Sequence, residues 1–149
     1  MEGDRIVRNM KMGGLALIVI VIASLALVGC SGSGNSLDTR FFGIWRATAA
    51  WVNGVATDNL AGAWGYDQYG DALQVVFLNT GRCSDQAYDD GDPIANEAGT
   101  WSTSSGNLTI DWDNSGPKVH QYEFTNENET CRLTYAIGGD VIVMRLEKQ

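Results

Sequence analysis

The segment Leu108-Thr109-Ile110-Asp111-Trp112-Asp113-Asn114-Ser115-Gly116-Pro117-Lys118-Val119-His120-Gln121-Tyr122-Glu123-Phe124-Thr125 changes polarity at almost every residue outside one run of turn formers. Leu108, Ile110 and Trp112 share a face opposite Thr109 and Asp111, and His120, Tyr122 and Phe124 repeat the pattern against Gln121 and Glu123. A period of two belongs to a β-strand with one buried face, and Asp113 to Pro117 reads as the turn between two such strands.

Short runs of the same kind recur on either side, separated by Gly, Asn and Asp clusters. No stretch after residue 40 sustains a helical period over three turns. The spacing predicts eight strands: about Phe42–Val52, Ala72–Leu78, Arg82–Tyr88, a short one around Gly99–Ser102, Leu108–Trp112, Lys118–Thr125, Cys131–Ile137 and Val141–Leu146. In the first, Trp45, Ala47, Ala49 and Trp51 fall on one face. Asn53-Gly54, Asn79-Thr80-Gly81, Ser104-Ser105-Gly106-Asn107 and Gly138-Gly139-Asp140 mark tight turns. Strands joined this way favour a meander, and eight of them lose their exposed edges by closing on themselves. The predicted fold is all-β, an eight-stranded antiparallel up-and-down barrel following an N-terminal signal helix.

The signal reading rests on residues 1–30. Arg5, Arg8 and Lys11 stand among polar residues, followed by an apolar run of 14 residues, Leu15–Val28, whose one polar member is Ser24. That length suits a signal-peptide core and falls short of the about 20 residues that span a bilayer. Leu27-Val28-Gly29-Cys30 resembles the lipobox of bacterial lipoprotein precursors. The resemblance implies a diacylglyceryl group on the Cys30 thiol, cleavage before Cys30 and acylation of the new amino group. An uncleaved N-terminal membrane helix is the alternative, and it leaves the domain on the same side of the membrane. Residues 1–29 are then a lipoprotein signal peptide, 30–40 the lipidated cysteine and a Ser/Gly-rich tether, and 41–149 the barrel domain. Ser31 resembles the sorting pattern of Gram-negative lipoproteins, which implies the cell envelope and the periplasmic face of the outer membrane in such a host. Two or three acyl chains, at about 0.8 kcal/mol per buried methylene, would anchor it lastingly.

The chain has 10 basic and 18 acidic residues; loss of the leader, with three basic and two acidic, leaves a formal charge of −9. An acidic surface argues against nucleic acid or anionic headgroups as partners. Three cysteines are present. With Cys30 assigned to lipid, Cys83 and Cys131 remain as an even pair in an oxidising compartment, and a disulfide between them would stabilise by about 4 kcal/mol through chain entropy. Both start strands at the same end of an up-and-down barrel, which suits a bridge across the rim. Two unpaired buried thiols are the alternative. No CxxC or HxxxH spacing supports a metal site, and no cofactor is implied.

Gly43-Ile44-Trp45, Asn53-Gly54, Asn79-Thr80-Gly81, Gly99-Thr100-Trp101 and the closing Tyr135 to Met144 resemble the small lipocalin-like β-barrels of bacterial lipoproteins. The likeness covers most of residues 41–146 and departs at Ala56–Asp71, which is longer and richer in glycine than a hairpin needs. It implies a scaffold that often binds apolar small molecules in its lumen.

The candidate ligand-binding residues are therefore aromatic: Trp45, Trp101 and Trp112 on inward faces, and Trp64, Tyr66 and Tyr69 in the loop Gly62–Gly70. Inward indoles can line a pocket or simply fill a narrow barrel. The loop reads either as a lid over a site or as a plug in the open end. Asp85, Asp89, Asp90, Asp92 and Glu97 invite a calcium reading, but they lack the EF-hand spacing and suit a solvated acidic loop. His120, alone on an apolar face, reads as hydrogen-bonded in place. No catalytic constellation emerges. The function expected is a membrane-anchored, non-enzymatic barrel that binds a small apolar or amphipathic ligand in the cell envelope. The second reading is an envelope protein-interaction module, such as an inhibitor of a basic, lysozyme-like hydrolase.

Overall fold

The computed structural model describes residues 36–149; the expected signal peptide, Cys30 and the start of the expected tether lie outside the described residues. A 3-10 turn at Thr39–Phe41 leads into strand β1 (Gly43–Val52), then β2 (Val55–Thr57) and a short helix α1 (Leu60–Trp64). The rest is strand after strand: β3 (Ala72–Phe77), β4 (Arg82–Asp89), β5 (Asp92–Ser104), β6 (Asn107–Trp112), β7 (Gly116–Thr125), β8 (Thr130–Ile137) and β9 (Asp140–Lys148). Neighbours in sequence pair antiparallel from β3 to β9, β1 pairs β3, and β1 also pairs β9. The ring β1, β3–β9 is thus a closed eight-stranded up-and-down barrel. β2 stands outside it, paired only to the far part of β1 through Ala50–Val52.

The eight anticipated strands are all present, most within a residue or two of their expected ends. The fourth is the exception. β5 runs from Asp92 rather than from about Gly99, because Asp90-Gly91 is a two-residue turn with φ of 50° and 87°. Two adjacent positive φ values make the turn whose twist matches antiparallel strands, and Asp-Gly is among its preferred sequences. The expected acidic loop is therefore a hairpin. At Gly99, inside β5, an added Cβ would lie 2.4 Å from the Asp111 carbonyl oxygen. The glycine of Gly99-Thr100-Trp101 is thus required by the close approach of β6.

A register shift between Ala47 and Ala49 in the β1–β9 pairing also departs from simple alternation. An extra residue flips the side chains beyond it. Trp45 and Ala47 face inward as anticipated, but Ala50 takes the next inward place and Trp51 turns to the outer face.

At the end where β1 begins, Phe41 is fully buried, with ring centroids 5.2 Å from Phe77, 4.8 Å from Phe124, 5.0 Å from Tyr122, 5.8 Å from Trp101 and 6.3 Å from Trp45. The indole N–H groups are satisfied: Trp45 donates to the Phe41 carbonyl at 2.7 Å and Trp101 to that of Leu78 at 3.1 Å. Ser36 docks at the same end, pairing its backbone with Thr103. Tyr122 donates to Asp38, which also pairs with Arg40. The last residues of the expected tether therefore pack on the barrel.

The disulfide expected between Cys83 and Cys131 is absent; both are free, buried thiols. The reason is geometric. Their strands, β4 and β8, are third and seventh around the ring, so the cysteines share an end but face each other across it. Strands about 4.8 Å apart put opposite walls of an eight-stranded barrel roughly 12–15 Å apart, beyond the about 7 Å between bridged Cα atoms. Phe41 occupies the space between, touching Phe77 and Phe124, the register partners of Cys83 and Cys131. Burial pushes both thiols up to about 12, so they are protonated and inert at neutral pH.

Candidate functional site

The opposite end carries the polar chemistry. Asn59 caps α1, its Oδ1 accepting from the Gly62 N–H at 2.8 Å and the Gly70 N–H at 3.1 Å, which draws the two ends of the loop together. The helix is only five residues long, yet Leu60, Ala61, Ala63 and Trp64 are all buried. So short a helix has little stability of its own and is held by what it covers. The plug reading of residues 62–70 describes the structure: Trp64 seals the barrel end, its ring 6.2 Å from Trp112, 6.0 Å from Tyr135 and stacked on His120 at 5.5 Å.

Polar contacts latch this plug to the wall. Asp85, buried on β4, accepts from Trp64 Nε1 at 2.5 Å, from the Tyr66 hydroxyl at 2.5 Å and from the Glu97 N–H at 2.8 Å. The Tyr135 hydroxyl donates to the Ala63 carbonyl at 2.8 Å. Burial raises the Asp85 carboxyl above its ordinary range, against the lowering effect of the hydrogen bonds from Tyr66, Trp64 and the Glu97 N–H. Burial likewise raises the Tyr66 and Tyr135 hydroxyls, Tyr66 also through the facing Asp85.

His120 lies beneath the plug at 1% exposure, and its Nδ1 has no hydrogen-bond partner. The expectation of a hydrogen-bonded histidine fails at that atom, because the two faces it meets are the rings of Trp64 and Tyr135. Burial pulls its pKa down to about 4, with the Lys118 charge acting in the same direction and the Leu108 carbonyl opposing. An unmade buried hydrogen bond costs about 1–3 kcal/mol, so the atom marks a place where a polar partner would be favourable. Beside the plug, a cleft of about 220 Å³ separates α1 from the rim, lined by Val52, Thr57, Asn59, Ala63, Ile137 and Ile142 among others.

The six anticipated ligand residues therefore separate. Trp45 and Trp101 belong to the aromatic end, Trp64 and Trp112 to the plugged end, all 4% exposed or less. Tyr66 is part of the latch, and Tyr69 stands out of it at 50% exposed. Asp85 and His120, the polar members of the site, were not anticipated as ligand-binding; their inward positions on alternating strands were the available signal. The acidic residues do not converge. Asp85 points inward, while Glu97 accepts from Asn114 N–H, Ser115 N–H and Ser115 Oγ, each at 2.8 Å, bracing the β6–β7 turn. Among the described residues no group of three or more His, Cys, Asp or Glu side chains is placed to hold a metal ion.

Neither a family profile nor a curated protein sequence matches this chain. Among solved structures it is similar to a lipocalin-like protein from Bacteroides uniformis, with TM-score 0.48 and 15% identity over 74% of this chain and 99% of that one. It is similar to fatty-acid-binding protein 1 of Echinococcus granulosus, with TM-score 0.43 and 14% identity over 74% and 98%. A variant of the fluorescent protein UnaG resembles it with TM-score 0.42 and 12% identity over 74% and 96%.

Proposed function

We propose that this chain is a lipid-anchored binding protein of the cell envelope that takes a small amphipathic molecule at the plugged end of its barrel. The reading rests on the unpartnered Nδ1 of His120 beneath a short helix latched by Asp85. If the plug lifts, Trp112, His120 and Tyr135 line an apolar chamber with one unsatisfied nitrogen, while Asp85 loses two of its donors. A molecule with an apolar body and one or two polar groups would satisfy both. The cleft between α1 and the rim supplies a seam for entry.

Anchoring through Cys30 follows from the lipobox-like Leu27-Val28-Gly29-Cys30. Five residues separate Cys30 from Ser36, a reach of no more than roughly 20 Å.

The test is intrinsic fluorescence of the mature chain titrated with fatty alcohols and fatty acids, repeated with Asp85→Asn. Saturable quenching that tightens several-fold in Asp85→Asn is expected, because a larger fraction of the molecules is then open. Silence toward the whole panel, together with a salt-sensitive complex with a lysozyme, would replace this reading with the protein-interaction module.

A further inference from the structure

The outer wall carries a second feature, distant in kind from the plugged end. In-register pairing places Glu123, Arg132, Arg145 and Ala49 in one row across β7, β8, β9 and β1. The next row ends in Val143 and Trp51. Glu123, Arg132, Arg145, Val143 and Trp51, with Thr125 among others, line a groove of about 670 Å³, within the usual range for small-molecule sites.

Three observations make this groove unusual. Arg132 and Arg145 are direct cross-strand partners, an arrangement that like charges disfavour. Arg145 turns one nitrogen to Glu147 at 2.5 Å, whereas Arg132 makes no ion pair among the described residues, although Glu123 is its neighbour in the row. Arg40 and Arg82 pair with Asp38 and Asp113, while Arg46, like Arg132, makes no ion pair among the described residues. The β1 irregularity between Ala47 and Ala49 turns Trp51 outward, to lie half-buried beside Val143 as an apolar floor. Asn126, at the groove's far end, opens the turn Asn126-Glu127-Asn128, with φ of 51°, 55° and 73°. Asn adopts this conformation readily, so the strain of the turn falls on Glu127.

We infer that this groove binds an amphipathic carboxylate, its anion bridging Arg132 and Arg145 and its apolar body lying on Trp51 and Val143. The guanidinium fork matches a carboxylate bidentately, and an anion between the two arginines relieves their repulsion. Glu123 on the rim disfavours more highly charged anions. The site is independent of the plugged end.

The experiment follows the Trp51 indole N–H and the Arg132 and Arg145 side-chain signals by NMR in the mature chain, with decanoate, decanol and inorganic phosphate as probes. Decanoate is expected to shift all three saturably, with affinity at least tenfold weaker in Arg132→Gln. Trp51→Phe assigns the indole signal. Both side chains lie on the outer wall, so the variants are expected to keep the wild-type circular dichroism. Equal affinity for decanol, undiminished binding in Arg132→Gln, or phosphate shifting the arginines as tightly as decanoate overturns the proposal. So does a response to decanoate confined to Trp64 and Trp112, which would leave the plugged-end reading standing alone.

Discussion

The two ends of the barrel use similar side chains under different physics. At the end where β1 begins, Phe41 meets a shell of aromatic rings, and the indoles there donate only to backbone carbonyls of adjoining segments. At the plugged end, Trp64 meets rings as well, but its indole donates to a buried carboxylate and its face covers an imidazole whose Nδ1 has no partner. Apolar packing is non-directional and insensitive to pH, whereas a buried carboxylate and histidine are conditional. The first end is sealed chiefly by apolar packing, whereas the second also buries two titratable groups.

The sharpest way to break this contrast is truncation at both ends. Phe41→Ala should cost about 3–5 kcal/mol in urea unfolding, as for a large core aromatic. Trp64→Ala should cost no more than about 2 kcal/mol, because the helix that bears it can detach without opening the ring. Equal costs would make the plug an ordinary part of the core.

Acid should separate the ends next. The His120 pKa is about 4 in the fold against an ordinary 6.5, so the unfolded chain takes that proton first. The stability this group allows is complete above about pH 6.5 and is lost as pH falls toward 4, by at most about 3 kcal/mol. Asp85 acts in the opposite sense: its raised carboxyl binds a proton first in the folded state, which offsets part of the loss. Thermal melts of His120→Phe should be flatter between pH 6.5 and 4 than those of the parent. An unchanged slope would locate acid sensitivity elsewhere.

A smaller effect is expected from Asp85→Asn, which weakens the latch by about 1–2 kcal/mol. Amide exchange over residues 60–66 should quicken while that of the β1–β9 ladder stays as it is; quickening in both would mean that the latch supports the whole barrel. The smallest effect is none at all. Reductant should leave the melting temperature unchanged, and thiol reagents should label Cys83 and Cys131 only on unfolding. A reductant-sensitive melt would restore the bridge between them.

Much of this molecule could be read from alternation. Leu108 to Phe124 announced two strands whose inward and outward faces the structure keeps, and Gly138-Gly139 and Ser105-Gly106 announced turns that take positive φ at both residues. The Asp90-Gly91 turn was equally legible but was submerged in its acidic surroundings. The outward turn of Trp51 was not legible, because an extra residue in β1 leaves no mark in a run as uniform as Ala47-Thr48-Ala49-Ala50. Helix α1 was hidden too. Five residues cannot establish a helical period, and the segment is helical through its Asn59 cap and the barrel end that Trp64 covers.

The order of strands, their faces outside β1 and the up-and-down closure belong to the sequence by itself, since polarity period and turn chemistry act over a few residues. Which cysteines can meet, which tryptophans fill the interior and which line a groove, and that His120 and Asp85 share an end with Trp64 were decided only in three dimensions. Those outcomes depend on the position of each strand around a closed ring, and a ring brings together residues that no local pattern relates.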